Sequence, residues 1–294
     1  MRWWRLFSVG KIIWLVSYPK SGNTWMRAFI TNYLRNEETP ADINAMDGGP
    51  IASSRAWFDE WVGVEASALS DDAIERLRPG VYRCLARKTT DTLYMKVHDA
   101  WNLTGRGEAL FPADVTAGAV CIIRSPLDVA KSYSHHYGIS IERAVEELCD
   151  PSNTKARSHG KLADQLRQRL GSWSGHVRSW VDESGLTVHP VRYEDMRLNP
   201  EAAFGAVVRF CGLPYDGARV RKAVAFSDFT ELQSQESAGG FQERPVCSPG
   251  PFFRQGQTGA WRKELRIELV NRLIDAHQDM MKRFGYLDEN NEPV

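Results

Sequence analysis

The sequence has no excess of charge of either sign: over 294 residues, Lys plus Arg and Asp plus Glu both number 37. A chain so balanced sets up no global basic field, which argues against a nucleic-acid binder and makes any anion site a local one. Cysteine is scarce and ungrouped. Cys84, Cys121, Cys149, Cys211 and Cys247 are odd in number, far apart and in no metal-ligand spacing, a pattern that fits unpaired thiols in a reducing, cytoplasmic setting. Long apolar runs are missing too. The basic, aromatic start Met1-Arg2-Trp3-Trp4-Arg5-Leu6-Phe7 lacks the apolar length of a signal peptide or membrane span and reads as a lead-in, 1–10, to the first strand. The length suffices for a sizeable core, and we expect a single α/β domain over 1–294.

Against these absences stands one dense stretch, Tyr18-Pro19-Lys20-Ser21-Gly22-Asn23-Thr24-Trp25. It follows the apolar, β-branched run from Lys11 to Ser17 and precedes an apolar-periodic segment from Thr24 to Leu34, so it reads as the turn between a buried strand and a helix. Free amides and the positive dipole end of a helix favour a phosphate-like group there, Gly22 lets the backbone approach closely, and Lys20 adds a point charge. Aligned with a Walker A loop, Gly22 takes the second glycine, but Ser17 stands at the first, Asn23 at the lysine and Thr24 at the magnesium-binding position. The kinase form of the loop is therefore broken.

The string instead resembles the 5′-phosphosulfate loop, Tyr-Pro-Lys-Ser-Gly-x-Thr-Trp, of the sulfotransferases that use 3′-phosphoadenosine 5′-phosphosulfate (PAPS). The resemblance implies an α/β fold with a mainly parallel sheet flanked by helices, of the P-loop nucleotide-kinase-like type. It also implies a cofactor-binding set that begins with Lys20, Ser21, Gly22, Asn23, Thr24 and Trp25. Later blocks keep the family's order. A strand expected at Thr92 to Val97 runs into His98, and period-two alternation puts Lys96 and His98 on one face, toward the crevice at the strand ends. The family carries Lys-Thr-His here, which implies His98 as catalytic base; a hydrogen-bonded supporting role is the alternative.

A third strand, Ala119 to Ile123, leads into Arg124 and a helix with Ser125 as N-cap, Pro126 in its first turn and Asp128 in a capping-box-like place. Arg124 and Ser132, eight apart, match the family's 3′-phosphate pair. Tyr133, His135, His136 and Tyr137, ending at Gly138, are open to reaching the acceptor pocket, although adjacent histidines face different sides of the helix and read as surface rather than catalytic residues. Farther on, a helix is expected from about Lys161 to Val181, with Trp173 and Trp180 in the core, and a fourth strand over Leu186 to Val191, near an edge because of Pro190. By resemblance Tyr193 lies near the adenine, Ser227 and Phe229 near the adenine and 3′-phosphate, and Arg254, Gln255 and Gly256 in the last cofactor motif. There Gln255 replaces a lysine and Ala260 an aspartate. The family's dimer motif is not intact, so the oligomeric state stays open.

Between these blocks, a short helix from Ser70 is expected to stop near Pro79-Gly80, and a final helix to span Lys263 to Phe284. The segments 36–70 and 233–251 read as acceptor-site or lid elements, although Trp57 and Trp61, four apart, equally suit one face of a packed helix. With Trp101 and an exposed-looking Phe241, their aromatic residues point to a small, largely apolar acceptor; oligosaccharides stay open. The whole implies sulfuryl transfer from PAPS to an acceptor hydroxyl, leaving 3′-phosphoadenosine 5′-phosphate (PAP). His98 would be the base, Lys20 would stabilise the leaving phosphate and Lys96 the sulfuryl oxygens. Ser132 would hold Lys20 back until an acceptor arrives, and no metal is called for. The rival readings are a P-loop kinase and a non-catalytic nucleotide-binding protein.

Overall fold

The run Ile12–Ser17 is buried along its whole length. A strand with no polar face needs cover on both sides, which is how parallel sheets are built. The computed structural model describes residues 11–156, 163–254 and 256–294. Along the chain it forms strand β1 (Ile12–Ser17), helices α1 (Asn23–Arg35), α2 (Arg55–Val62) and α3 (Asp71–Lys88), then β2 (Leu93–Val97), β3 (Thr116–Ile123), α4 (Pro126–Tyr137) and α5 (Ile141–Cys149). A short antiparallel pair, β4 (Thr154–Lys155) and β5 (Gln168–Arg169), leads to α6 (Trp173–Arg178) and β6 (Val188–Arg192). The remainder is helical: α7 (Tyr193–Leu198), α8 (Pro200–Phe210), α9 (Gly217–Phe226), α10 (Phe229–Gly239), α11 (Trp261–Glu264) and α12 (Ile267–Arg283).

The main sheet has the order β2-β1-β3-β6, all parallel. Alternation along β1 and β3 splits the interior in two. Ile12, Trp14 and Val16, with Ala119, Cys121 and Ile123, face a core built with α3, α4, α5, α6 and α12. Ile13 and Leu15, with Val120 and Ile122, face α1, α8 and α9 through Phe29, Phe204 and Val220. Because every strand runs the same way, their C-terminal ends open on one edge, and the loop at 18–22, His98, Arg124 and Tyr193 all emerge there.

The fourth strand is an edge strand, as Pro190 suggests, and Trp173 and Trp180 are fully buried. Four local expectations are corrected. Helix α3 does not stop at Pro79 but continues to Lys88. Val81, Tyr82, Leu85 and Ala86 continue its buried face past the proline, and the interior Arg78 makes a bidentate pair with Asp99 (2.8 and 3.0 Å). Packing here outweighs the roughly 3 kcal/mol that proline costs inside a helix. The helix expected over 161–181 begins only at Trp173. Gly171 adopts φ 64°, Ser172 accepts the Gly175 N–H as N-cap, and the preceding residues pair as β5. The final helix starts at Ile267, after the separate turn of α11. Phe241 is 7% exposed, its ring edge-on to Phe252 and tilted against Phe253. The lead-in 1–10, Gln255 and residues 157–162 lie outside the described residues. No described helix is long and apolar enough to cross a membrane.

Candidate active site

The loop after β1 turns on two left-handed residues, Lys20 (φ 73°) and Gly22 (φ 106°). At Gly22 a Cβ would sit 2.7 Å from the Tyr193 ring, so only glycine fits both the backbone and the neighbour. Asn23, at the place of the Walker lysine, turns its amide back into the fold. Its Nδ2 donates to the Leu15 carbonyl (2.7 Å) and the Ser17 hydroxyl (3.2 Å), locking loop to strand.

A cavity of about 900 Å³ lies over this loop, lined by Lys20, Gly22, Asn23, Thr24 and Trp25 and by residues from the other strand ends. Two groups of cations stand in it. The first is Lys20 with Lys96. The Lys20 ammonium lies 3.6 Å above the Phe252 ring, and its pKa is lowered to about 7 by burial, then by the charges of Lys96 and Arg124. Lys96 donates to Glu243 at 2.8 Å.

The second group is Arg124, Lys131 and Arg254. Burial, then the neighbouring Arg124 charge, pulls the Arg254 pKa down; burial and Arg254 do the same to Lys131. Arg124 donates to the carbonyls of Lys20 (3.1 Å) and Gln257 (2.9 Å) and lies 4.4 Å over Tyr193, while its buried Nε has no partner. Clustered cations and an orphaned donor suit an anion. Ser132 lines the same cavity.

Trp25, Tyr193 and Phe229 supply aromatic faces to the cavity, with the Tyr193 hydroxyl donating to the Gly256 carbonyl at 3.1 Å. Gly256 is again obligatory, since a Cβ there would come within 2.5 Å of Phe229. Asp128 does not cap its own helix. Its carboxylate accepts the N–H groups of Gly259 (2.7 Å) and Trp261 (3.2 Å) and so ties the last motif to α4; the Ser125 side chain makes no cap either, and its N–H goes to Glu194 (3.1 Å).

His98 follows β2 and also lines the cavity. Its Nδ1 lies 2.8 Å from the Ser17 carbonyl oxygen, and its own carbonyl accepts from His176 Nε2 at 3.1 Å. Burial, then the Lys96 charge, lowers its pKa to about 3.

The structure thus brings Lys20, Gly22, Asn23, Thr24, Trp25, Lys96, His98, Arg124, Ser132, Tyr193, Phe229, Arg254 and Gly256 to one cavity. Two carried-over residues are elsewhere. Ser227 is buried, and its hydroxyl donates to the carbonyls of Ala223 (2.8 Å) and Val224 (3.3 Å); the Ser21 hydroxyl is buried without a partner and lines no part of the cavity. No hydrogen bond joins Lys20 to Ser132, because the ammonium rests on Phe252 instead. His136, expected at the surface, lines the cavity, and burial followed by the Lys20 charge lowers its pKa to about 2.

The aromatic residues thought to mark an apolar acceptor pack elsewhere. Trp57, Trp61 and Trp101 lie against the larger core and Phe241 in a separate cluster, none of them lining the cavity. Sequence reading also missed Glu243, Arg27, Lys131 and Asp128 as parts of this network. Glu243 has no local signal, since its partners lie 147 and 216 residues away.

Residues 11–285 match the model of the sulfotransferase domain family. The chain is similar to human sulfotransferase 2B1, 22% identical over 274 residues that cover 92% of this chain and 66% of that protein. It is also similar to dog sulfotransferase 1A1, 28% identical over 178 residues, 58% of this chain and 57% of that protein. The chain therefore spans less than two thirds of the length of these two relatives. In fold it resembles retinol dehydratase crystallised with androsterone and the inactive cofactor PAP, with a TM-score of 0.62, 17% identity and coverage of 92% of this chain and 80% of that one.

Proposed function

The chain belongs to the sulfotransferase domain family, and from that we propose that it is a PAPS-dependent sulfotransferase acting on a hydroxyl of a small-molecule acceptor. One observation carries the reading. Two cation groups, Lys20 with Lys96 and Arg124 with Arg254 and with Lys131, which is paired with Glu264, share a single cavity with an aromatic slot and a neutral imidazole. A donor with an anionic group at each end of an adenosine needs that combination.

PAPS, when bound, supplies an activated sulfuryl group. Arg124, Arg254 and Ser132 hold its 3′-phosphate, Trp25, Tyr193 and Phe229 its adenine, and the amides of the 20–24 loop its 5′-phosphate. The residues then divide the chemistry. Nδ1 of His98 is committed to the Ser17 carbonyl, which leaves the Nε2 lone pair to take the acceptor proton as the acceptor oxygen attacks sulfur. The bond from sulfur to the bridging phosphate oxygen breaks, and Lys20 stabilises the charge that collects on that oxygen. PAP leaves, and the proton passes from His98 to solvent.

Ser54, Lys155, Gln165, Gln168 and Gln242 also line the cavity. Ile51, Tyr137, Val246 and Phe252 stand beside them, so the lining supports a largely apolar acceptor that carries some polar groups beside the reacting hydroxyl. Calorimetric titration with PAP and with ATP plus magnesium tests the donor: PAP binds and ATP does not. The reverse result would favour a kinase, although the Asn23 side chain is tied inward where a kinase needs its lysine.

A further inference from the structure

The segment between α10 and α11 is pinned at both ends. Phe241 is buried with Phe252 and Phe253, and Glu236 accepts the N–H groups of Phe252 (2.7 Å) and Phe253 (2.8 Å). Within the segment Val246 is fully exposed, while Glu243 reaches back into the fold. The Glu243 carboxylate accepts from Lys96 at 2.8 Å through one oxygen and from Arg27 through the other. Arg27 lies one turn beyond Asn23 on α1 and is 6% exposed; Lys96 is 13% exposed. One buried and one part-buried cation are thereby neutralised by one carboxylate that arrives on an irregular loop.

Lys96 stands beside His98, where a sulfuryl group would have to lie for an acceptor oxygen to reach both sulfur and the imidazole. It cannot serve sulfuryl oxygens and Glu243 at full strength together, because carboxylate and sulfuryl are both anions competing for the same donors. We propose that Glu243 is the specificity residue that distinguishes loaded donor from spent cofactor. Its carboxylate occupies Lys96 and Arg27 until the sulfuryl group of PAPS displaces it, and it returns once that group has left on the acceptor. The inference rests on the PAPS reading given above. PAP, which lacks the sulfuryl group, leaves the Glu243 contacts in place, so the displacement cost falls on PAPS alone and narrows its advantage over PAP.

The test is to measure dissociation constants of PAP and PAPS by calorimetry, without acceptor, for the wild type and Glu243→Gln. The expected result is a PAPS-over-PAP preference that rises about tenfold in the variant, the scale of one charge-assisted contact that no longer has to be displaced. A cooperative thermal transition close to that of the wild type reports that the variant is folded. An unchanged preference, or a PAPS affinity that falls in the variant, overturns the proposal. Failure of the wild type to bind PAP overturns the donor reading and this inference with it. Should the variant not fold, hydrogen exchange on the wild type decides: residues 241–246 exchange faster with PAPS bound than with PAP, and equal or slower exchange refutes displacement.

Discussion

The ring of His98 is set by Ser17, whose carbonyl oxygen lies 2.8 Å from Nδ1. A carbonyl only accepts, so Nδ1 carries the hydrogen and Nε2 keeps the lone pair. Held to a pKa of about 3 by burial and then by Lys96, the imidazole is neutral through the neutral pH range. His98→Ala is expected to lower kcat by about 10²- to 10⁴-fold, the usual span for a general base, with PAP affinity nearly unchanged. Arg124→Ala should do the opposite, weakening PAP about tenfold or more through loss of a charge-assisted contact. Equal losses of PAP binding in the two variants would contradict this division of roles.

Lys20 predicts a proton linked to cofactor binding. Burial, then Lys96 and Arg124, lowers its pKa to about 7, with Glu236 and Glu243 pulling the other way. An anionic ligand favours the ammonium and raises that value in the complex. Below the free-enzyme pKa the lysine is already charged and binding takes up no proton from this group. Above it, binding takes up a proton and PAP affinity declines as pH rises. Calorimetry at about pH 8 in buffers of different ionisation enthalpy should show the uptake, and Lys20→Met should abolish it. Absence of uptake in the wild type would show that Lys20 does not meet the anion.

Asp128 holds the last motif by two backbone N–H groups, at 2.7 and 3.2 Å. Asp128→Ala removes both acceptors and releases the segment carrying Gly256 and Arg254 from α4. PAP affinity is expected to fall by about 1 kcal/mol or more, the scale of losing hydrogen bonds to a charged group, although no atom of Asp128 need touch the adenine. Wild-type affinity in the variant would show that the segment holds its place without Asp128, through Arg124 on Gln257 and Tyr193 on Gly256.

Arg78 and Asp99, each 1% exposed, form a fully buried bidentate pair between α3 and the residue after His98. Removing one partner leaves an uncompensated charge in the interior. Arg78→Met is expected to destabilise the fold by about 3–5 kcal/mol in urea unfolding, and replacing both residues by apolar ones of similar size to cost less than either single change. A loss in the double variant equal to the sum of the single losses would argue that the two side chains do not act on each other.

What could be read from the chain beforehand was what a short window contains. β1, its loop and α1 are written in one continuous stretch as an apolar run, a glycine with a lysine, and a renewed apolar period, and they fold as read. Lys96 and His98 follow from strand alternation, and the Gly256 block from its own motif. Pro79 misled because the packing of Tyr82 and Leu85 that overrides it lies outside the local signal. Trp57 and Trp61 suited an acceptor wall and a packed helix face equally, because composition cannot say which side of a helix meets the core, and they pack on it. Glu243 was invisible for a stronger reason, since it acquires meaning only when α1, β2 and a distant loop meet.

The parallel sheet delivers every strand end to one edge, so the cavity is assembled from pieces as far apart in sequence as Lys20 and Gln257. No fragment of the chain contains both ends of the cofactor grip, and a partly folded molecule has nowhere to put the nucleotide. Occupancy is therefore a readout of complete assembly, and saturating PAP should raise the melting temperature of the entire chain as one cooperative unit.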